Sequence, residues 1–244
     1  EQGWDVSQDS NYKDIIYINS HRGSLEKSDA VIKGYITFMD KASMLVARLV
    51  NPQPGERVLD CCAAPGGKSM YMATLMDNTG SLMSCDIHEH KIALMESNAQ
   101  RLGISIVQTK VQDATELPSA WKSYFDRVLV DVPCSGLGIL QKKLDMRWRK
   151  DESTLSELPP LQLAILERAA MTVKEKGYLV YSTCTLNYKE NEDVVEAFLQ
   201  KHKEFSIVPV GTDFPLKSNN GMITTYPPTD DMDGFFMVKM QRIS

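Results

Sequence analysis

What the 244 residues leave out narrows the field first. No apolar run approaches the ~18 residues that cross a bilayer, and no basic-then-apolar leader opens the chain. The first residues are Glu1-Gln2 rather than Met, as expected of a chain trimmed or cut from something longer. There is no internal repeat, and glycine and proline together supply only 25 residues, which excludes collagen-like and disordered classes. Cysteine is scarce and odd in number, five in all, so a disulfide-dense scaffold is excluded and reduced thiols in a cytoplasmic protein are expected. No C-x-x-C occurs, and His88 and His90 have no evident partner, so no metal site is expected. His21 and His202 read as surface residues. Both standard phosphate cradles are missing. There is no G-x-G-x-x-G, and although Gly67-Lys68-Ser69 matches the end of a P-loop, residue 62, where its first glycine belongs, is Cys.

Positive charge is short as well. The 27 basic residues face 32 acidic ones, for a net charge of −5, whereas a purely electrostatic nucleic-acid binder is usually basic. One stretch reverses the balance. Residues 141–150 (QKKLDMRWRK) hold five basic groups and one acid, so the other 234 residues sum to −9. This is the signature of either a focused anionic partner or a solvated face. If it meets RNA, its Trp148 either stacks on a base or anchors the loop.

What is present is an alternation. Apolar strand-like runs at 58–63, 81–86, 106–113, 125–134 and 177–184 are separated by helical patterns at 68–76 and 88–102. A further helical pattern carries Leu161, Ile165, Ala169 and Val173 on one face, and another covers 188–202. The 125–134 run is apolar through its centre, as a strand covered on both faces should be. Such alternation predicts an α/β fold with a doubly wound, mostly parallel sheet. The ends differ: residues 39–50 read as an amphipathic lead-in helix. Residues 1–36 read as a small strand-containing segment with a soft boundary near 36, which leaves 37–244 as the main domain. After a Pro-, Gly-, Asn- and Asp-rich stretch, 234–240 (GFFMVKM) reads as a further strand closing a hairpin.

The chemistry concentrates at strand ends. CCAAPGGKS (61–69) joins a strand to a helix, where an α/β sheet binds nucleotide-like ligands, and Gly66 and Gly67 let backbone approach a ligand closely. Asp86 ends the next strand, placed to accept hydrogen bonds from ribose hydroxyls, and Asp113 ends the third, placed to face the other side of an adenosine. Acids and a tight turn without a phosphate cradle suit a nucleoside carrying a positive centre, and S-adenosylmethionine is the cofactor expected. Each acid alone could equally be a helix N-cap.

Two cysteines follow the fourth and fifth strands, in Asp131-Val132-Pro133-Cys134-Ser135-Gly136 and in Ser182-Thr183-Cys184-Thr185. If those strands are neighbours, both thiols emerge beside the glycine turn, where a thiolate is a plausible nucleophile. Carbon 5 of cytosine is a poor nucleophile. Adding a thiolate at carbon 6 makes the ring an enamine whose carbon 5 can attack an electrophilic methyl group. Asp131 is close enough in sequence to serve the ring nitrogen 3, where electron density develops. Cys61, Cys62 and Cys85 lie in or beside apolar runs and read as small core residues. Which of Cys134 and Cys184 attacks is left open by their turn contexts.

VLDCCAAPGGKS, DIHEHKI, DVPCSGLG and YSTCTLNYKENE, in this order and followed by DGFFMVKM, together resemble the RNA cytosine-5 methyltransferases of the Sun/Nop class, nearest its bacterial branch acting on small-subunit ribosomal RNA. The likeness covers about residues 34–244 and is weaker before that. It implies a Rossmann-like methyltransferase fold whose seven-stranded sheet has its last strand antiparallel. It implies S-adenosylmethionine along Cys62, Ala63, Ala64, Pro65, Gly66, Gly67 and Lys68, with Asp86 on the ribose, Asp113 near the adenine and Asp131 near the methyl donor. It assigns Cys184 as the attacking thiol and Cys134 as the residue needed for product release, the reverse of DNA cytosine-5 methyltransferases. The partner implied is RNA, ribosomal by resemblance, with no membrane and no metal. Residues 1–36 would be the end of an RNA-binding subdomain. Two other readings compete, a methyltransferase acting on DNA or protein and a catalytically silent RNA-binding scaffold. The Thr183-Cys184 context favours RNA over the first, and retention of both cysteines and Asp131 argues against the second.

Overall fold

A computed structural model describes residues 3–142, 152–211 and 214–244. The chain opens with an antiparallel hairpin, β1 (Asp5–Gln8) and β2 (Ile16–Ser20), and a single helical turn, α1 (Asp29–Ile32). Helix α2 (Lys41–Val50) follows, with Asp40 capping its first turn through the Ala42 amide. The alternating core is β3 (Arg57–Asp60), α3 (Gly67–Leu75), β4 (Ser81–Asp86), α4 (Glu89–Arg101), β5 (Val107–Val111), β6 (Phe125–Asp131), α5 (Glu152–Ala170) and β7 (Val173–Thr183). Helix α6 (Glu192–Lys201), β8 (Phe205–Ile207), β9 (Met222–Thr224), the turn-long α7 (Pro227–Asp230) and β10 (Phe236–Arg242) complete the chain.

The strands order as β5-β4-β3-β6-β7-β10-β8, with β9 pairing beside β8 on β10. The pairs from β5 to β7 are parallel, and β10 runs antiparallel to β7, β8 and β9. The doubly wound sheet and its antiparallel last strand are therefore as expected, with one short extra strand. The closing strand pairs antiparallel with β9 as the expected hairpin, and it is also central: β10 inserts between β7 and β8, with alternate side chains Phe236, Val238 and Met240 and the intervening Met237 buried on opposite faces. Val173 also moves. It starts β7 rather than ending a helix face, and the strand continues through Lys176, which takes a positive φ of 64°, before Gly177.

Two apolar layers hold the sheet. Leu166, Ala169, Val195 and Phe198 of α5 and α6 pack on one face with Val128, Val130 and Tyr181. Leu45, Val46 and Leu49 of α2 with Met72 and Met76 cover the other, against Val58, Leu129 and Val180. The N-terminal segment is tied to this body through Arg101, whose Nη1 donates to the carbonyls of Val31 (2.8 Å) and Ile36 (3.3 Å), and through a Lys41–Asp9 ion pair at 2.8 Å. Among the described residues no helix is long and apolar enough to cross a membrane.

Candidate active site

Parallel winding sends the carboxyl ends of β3, β4, β6 and β7 to one rim, and a cavity of about 420 Å³ opens there. Its lining includes Cys62, Ala64, Asp86, Asp113, Asp131, Cys134 and Cys184. Ala63 instead packs with Met70, Ile92 and Met95, and Pro65, Gly66, Gly67 and Lys68 do not line the cavity. Gly66 takes φ 101° at the start of α3, where a Cβ would lie 2.9 Å from Met95 Cγ, so the turn accepts only glycine. Asp86 Oδ1 accepts the His88 amide at 3.0 Å and lies 3.7 Å from Lys91 Nζ. Asp113 Oδ1 accepts from the Thr115 amide (2.8 Å) and hydroxyl (2.7 Å), so it caps a 3₁₀ turn while still edging the cavity. Ile87, 57% exposed, follows Asp86 on the cavity wall and adds an apolar side chain to which sequence reasoning gave no role.

An acid-rimmed cavity without phosphate-binding amides fits a cationic nucleoside. A buried acid directly precedes Cys61 and Cys62 of the cavity lining. Asp60 is 1% exposed, its Oδ2 accepts the Ser69 hydroxyl at 2.7 Å, and its Oδ1 has no hydrogen-bond partner among the described residues. Burial pushes the Asp60 carboxyl up to about 7, with the nearby Asp131 charge adding to the rise.

At the mouth, β6 and β7 pair with Asp131 opposite Ser182, which brings the two sequence-flagged cysteines together. Cys134 Sγ and Cys184 Sγ are 3.2 Å apart, and the Cys184 amide donates to Cys134 Sγ at 3.3 Å. The hydrogen bond to Cys184, together with burial, holds the Cys134 thiol well above the ordinary cysteine range. Asp131 is gripped from both sides. Its Oδ1 accepts the Ser182 hydroxyl at 2.7 Å and its Oδ2 accepts Lys68 Nζ at 2.7 Å. Burial works against the Lys68 ammonium, but the Asp131 carboxylate outweighs it and lifts its pKa, and a charge on Cys184 acts in the same direction. Lys68, expected on the cofactor turn, thus serves the carboxylate at the mouth. Cys61 and Cys85 are buried, as expected of core thiols, and burial raises both, Cys85 to about 12, whereas Cys62 is half-buried and lines the cavity.

A buried carboxylate that sequence reasoning missed locks the two cysteine loops. Glu190, fully buried, accepts the Ser135 amide (2.8 Å) and Gln162 Nε2 (2.9 Å) on Oε2 and Asn187 Nδ2 (2.9 Å) on Oε1. Gln162 also donates to the Pro133 carbonyl at 3.0 Å, and the Ser135 and Thr185 hydroxyls meet at 2.7 Å. Gly138 is pressed on Gly234 so closely that a Cβ would lie 1.9 Å from the Gly234 oxygen, which pins the end of the Cys134 loop. In sequence, Glu190 looks only like an acid favoured at a helix start.

Other expectations fare variously. Among the described residues no three metal-ligand side chains cluster. His21 is exposed as expected, but His202 is half-buried, its ring stacked on Phe198 at 4.5 Å and its Nδ1 3.0 Å from Glu204. Of the basic run, Lys142 is held between Asp40 (2.6 Å) and Asp233 (2.9 Å), and 143–150, including Trp148, lies outside the described residues.

Known proteins are similar to this chain in both fold and sequence. A crystal structure of NSun6 from Pyrococcus horikoshii with SFG superposes with a TM-score of 0.82 at 30% identity, over 92% of this chain and 57% of that one. The "Probable ribosomal RNA small subunit methyltransferase B" of Bacillus subtilis is 39% identical over 91% of this chain and 51% of its own length. The human "28S rRNA (cytosine(4447)-C(5))-methyltransferase" is 35% identical over 87% of this chain and 28% of its own. The chain thus spans about half the length of the bacterial relative. Residues 47–241, which carry the glycine turn, Asp131 and both cysteines, match the family model for the 16S rRNA methyltransferase RsmB/F, and the chain belongs to that family.

Proposed function

We propose that this chain transfers a methyl group from S-adenosylmethionine to carbon 5 of a cytosine in RNA, with small-subunit ribosomal RNA as the substrate. The observation that carries the reading is the pair of sulfurs 3.2 Å apart beside the Lys68–Asp131–Ser182 group, at the mouth of an acid-rimmed cavity. Asp86, Asp113, Cys62 and Ala64 would hold the cofactor, which would supply an electrophilic methyl group when bound. The Cys184 thiolate adds to carbon 6, favoured by the cationic Lys68 nearby, and the ring's electrons shift toward carbon 5. Asp131, held in place by Ser182 and Lys68, faces ring nitrogen 3 and shares with it the proton that offsets the electron density developing there. After methyl transfer Cys134, having given its own proton to solvent, takes the proton from carbon 5; the electrons of that C–H bond restore the 5,6 double bond, the bond from carbon 6 to sulfur breaks, and Cys184 leaves as the thiolate.

The test is incorporation of tritiated methyl groups into unmodified small-subunit ribosomal RNA, with DNA and protein as rival substrates. Label is expected in RNA only; label confined to DNA or protein would refute the reading. On denaturing gels, Cys184→Ala should give neither product nor covalent complex. Cys134→Ala should methylate once and accumulate a protein–RNA adduct. An adduct with Cys184→Ala and none with Cys134→Ala would reverse the two roles.

A further inference from the structure

A second cavity on the catalytic rim has no part in the chemistry above. It has a volume of about 550 Å³ and lies between the start of α6 and the loop that leads into β9. Tyr188, 54% exposed, and Tyr226, 51% exposed, line it together with Glu192, Glu196, Lys217 and Asn219. Its position is tied to the reacting thiol twice. Tyr188 lies on the same loop as Cys184, four residues on. Thr224, also in the lining, pairs with Phe236, which pairs with Thr183 beside Cys184. Two strand spacings place it about 10 Å from the end of β7.

The lining is an unusual mixture. Two half-exposed tyrosine rings offer stacking surface that folding leaves uncovered. Glu192 and Glu196 put acceptors into the cavity, and burial together with the neighbouring acids Asp193 and Glu196 raises the Glu192 carboxyl. The same three carboxylates also act on the Tyr188 hydroxyl. Carboxylates repel phosphate, so the body of the cavity does not suit a nucleic-acid backbone. They accept from N–H groups, and an unpaired base stacked on an aromatic ring presents such groups at its Watson–Crick edge. Only the exposed Lys217 suits a phosphate.

From this mixture we infer that the cavity lined by Tyr188, Tyr226 and Glu192 is a subsite for an unpaired base flanking the target cytosine, and that it selects a base with an amino group at its Watson–Crick edge over uracil. This rests on the RNA methyltransferase reading and adds a second point of contact to it. Tyr188 and Tyr226 sandwich or flank the base, Glu192 accepts from its amino group, and Asn219 and Lys217 meet the sugar–phosphate side. The flanking base is thereby pulled out of the stack, which holds the target cytosine over Cys184.

The experiment uses an unmodified small-subunit ribosomal RNA transcript and a library of it randomised at two positions on either side of the methylated cytosine. Tyr188→Ala and Tyr226→Ala should each raise KM for the transcript ~5- to 100-fold, the range expected when one base–aromatic stack is removed. Affinity for S-adenosylmethionine and thermal stability should stay unchanged. Sequencing of the methylated library should show amino-bearing bases enriched at one flanking position with the wild type, and Glu192→Ala, which removes the acceptor, should remove that enrichment. KM values within twofold of wild type for both tyrosine variants overturn the subsite, as does a flanking preference that Glu192→Ala leaves intact. No methylation by the wild-type chain overturns the function on which the subsite rests.

Discussion

Replacing Asp60 by Asn should make stability almost independent of one pH window in which the wild type loses it. Asp60 is buried beneath the glycine turn with Ser69 and Ser84 hydroxyls in series, Ser84 donating to Ser69 at 2.8 Å and Ser69 to Asp60 at 2.7 Å. Its second oxygen is unpartnered among the described residues, and burial raises its carboxyl from 3.8 to about 7. Between those values the folded chain keeps a proton that the unfolded chain has released. The contribution is therefore fully present below the unfolded value and is lost as pH rises through the folded one. At ~1.36 kcal/mol per pH unit the loss is about 4 kcal/mol, a large share of a typical folding free energy. Asn keeps the shape and the Ser69 bond but cannot ionise. Its amide leaves one buried donor unpaired, a cost of ~1–3 kcal/mol that does not vary with pH. Urea unfolding of both proteins from pH 4 to pH 8 separates the two effects. The variant should be the less stable near pH 4, and the difference should swing by about 4 kcal/mol in its favour by pH 8. A difference flat to within ~1 kcal/mol across that range would show that Asp60 ionises normally and that burial does not control it.

Three further outcomes follow from the site. Asp86→Ala should weaken S-adenosylmethionine binding by ~1.5–3 kcal/mol and leave RNA affinity unchanged; calorimetry showing unaltered cofactor affinity would remove Asp86 from the site. Glu190→Gln sets an amide against N–H donors from Ser135, Gln162 and Asn187, so it should cost ~1–3 kcal/mol of stability and slow adduct formation more than cofactor binding; an adduct rate equal to wild type would deny it a role in positioning the cysteines. Neutralising Lys143, Arg147, Arg149 and Lys150 should flatten the salt dependence of RNA affinity by ~0.7 in slope for each phosphate no longer neutralised. Lys142, already held by Asp40 and Asp233, should contribute least, and an unchanged slope for all of them would make the run a solvated face.

Fold class was legible because it depends on local pattern. Short apolar runs bounded by turns and spaced by helical periodicity leave few arrangements other than a wound parallel sheet. The candidate residues were legible for a related reason: in such a sheet function gathers at strand ends, and Asp86, Asp131, Cys134 and Cys184 all follow or close an apolar run. Strands of three residues such as β8 and β9 carry too little periodicity to be read, and nothing local says that β10 slides between β7 and β8.

Within the site, the amino-acid sequence by itself determined which groups are chemically available: five thiols, a glycine turn and acids at strand ends. Tertiary structure decided what they do. Cys134 and Cys184 are fifty residues apart, and the register that sets Asp131 opposite Ser182 is what brings their sulfurs to 3.2 Å. Lys68 belongs to the glycine turn in sequence, yet its ammonium ends on Asp131, sixty-three residues away. Glu190 has the look of a helix-start acid and is instead a fully buried clamp between two loops. The reason is common to all three. A side chain's role depends on which charges and donors face it and on how much water is excluded, and those are fixed by strand order and register between distant segments, which no local spacing encodes.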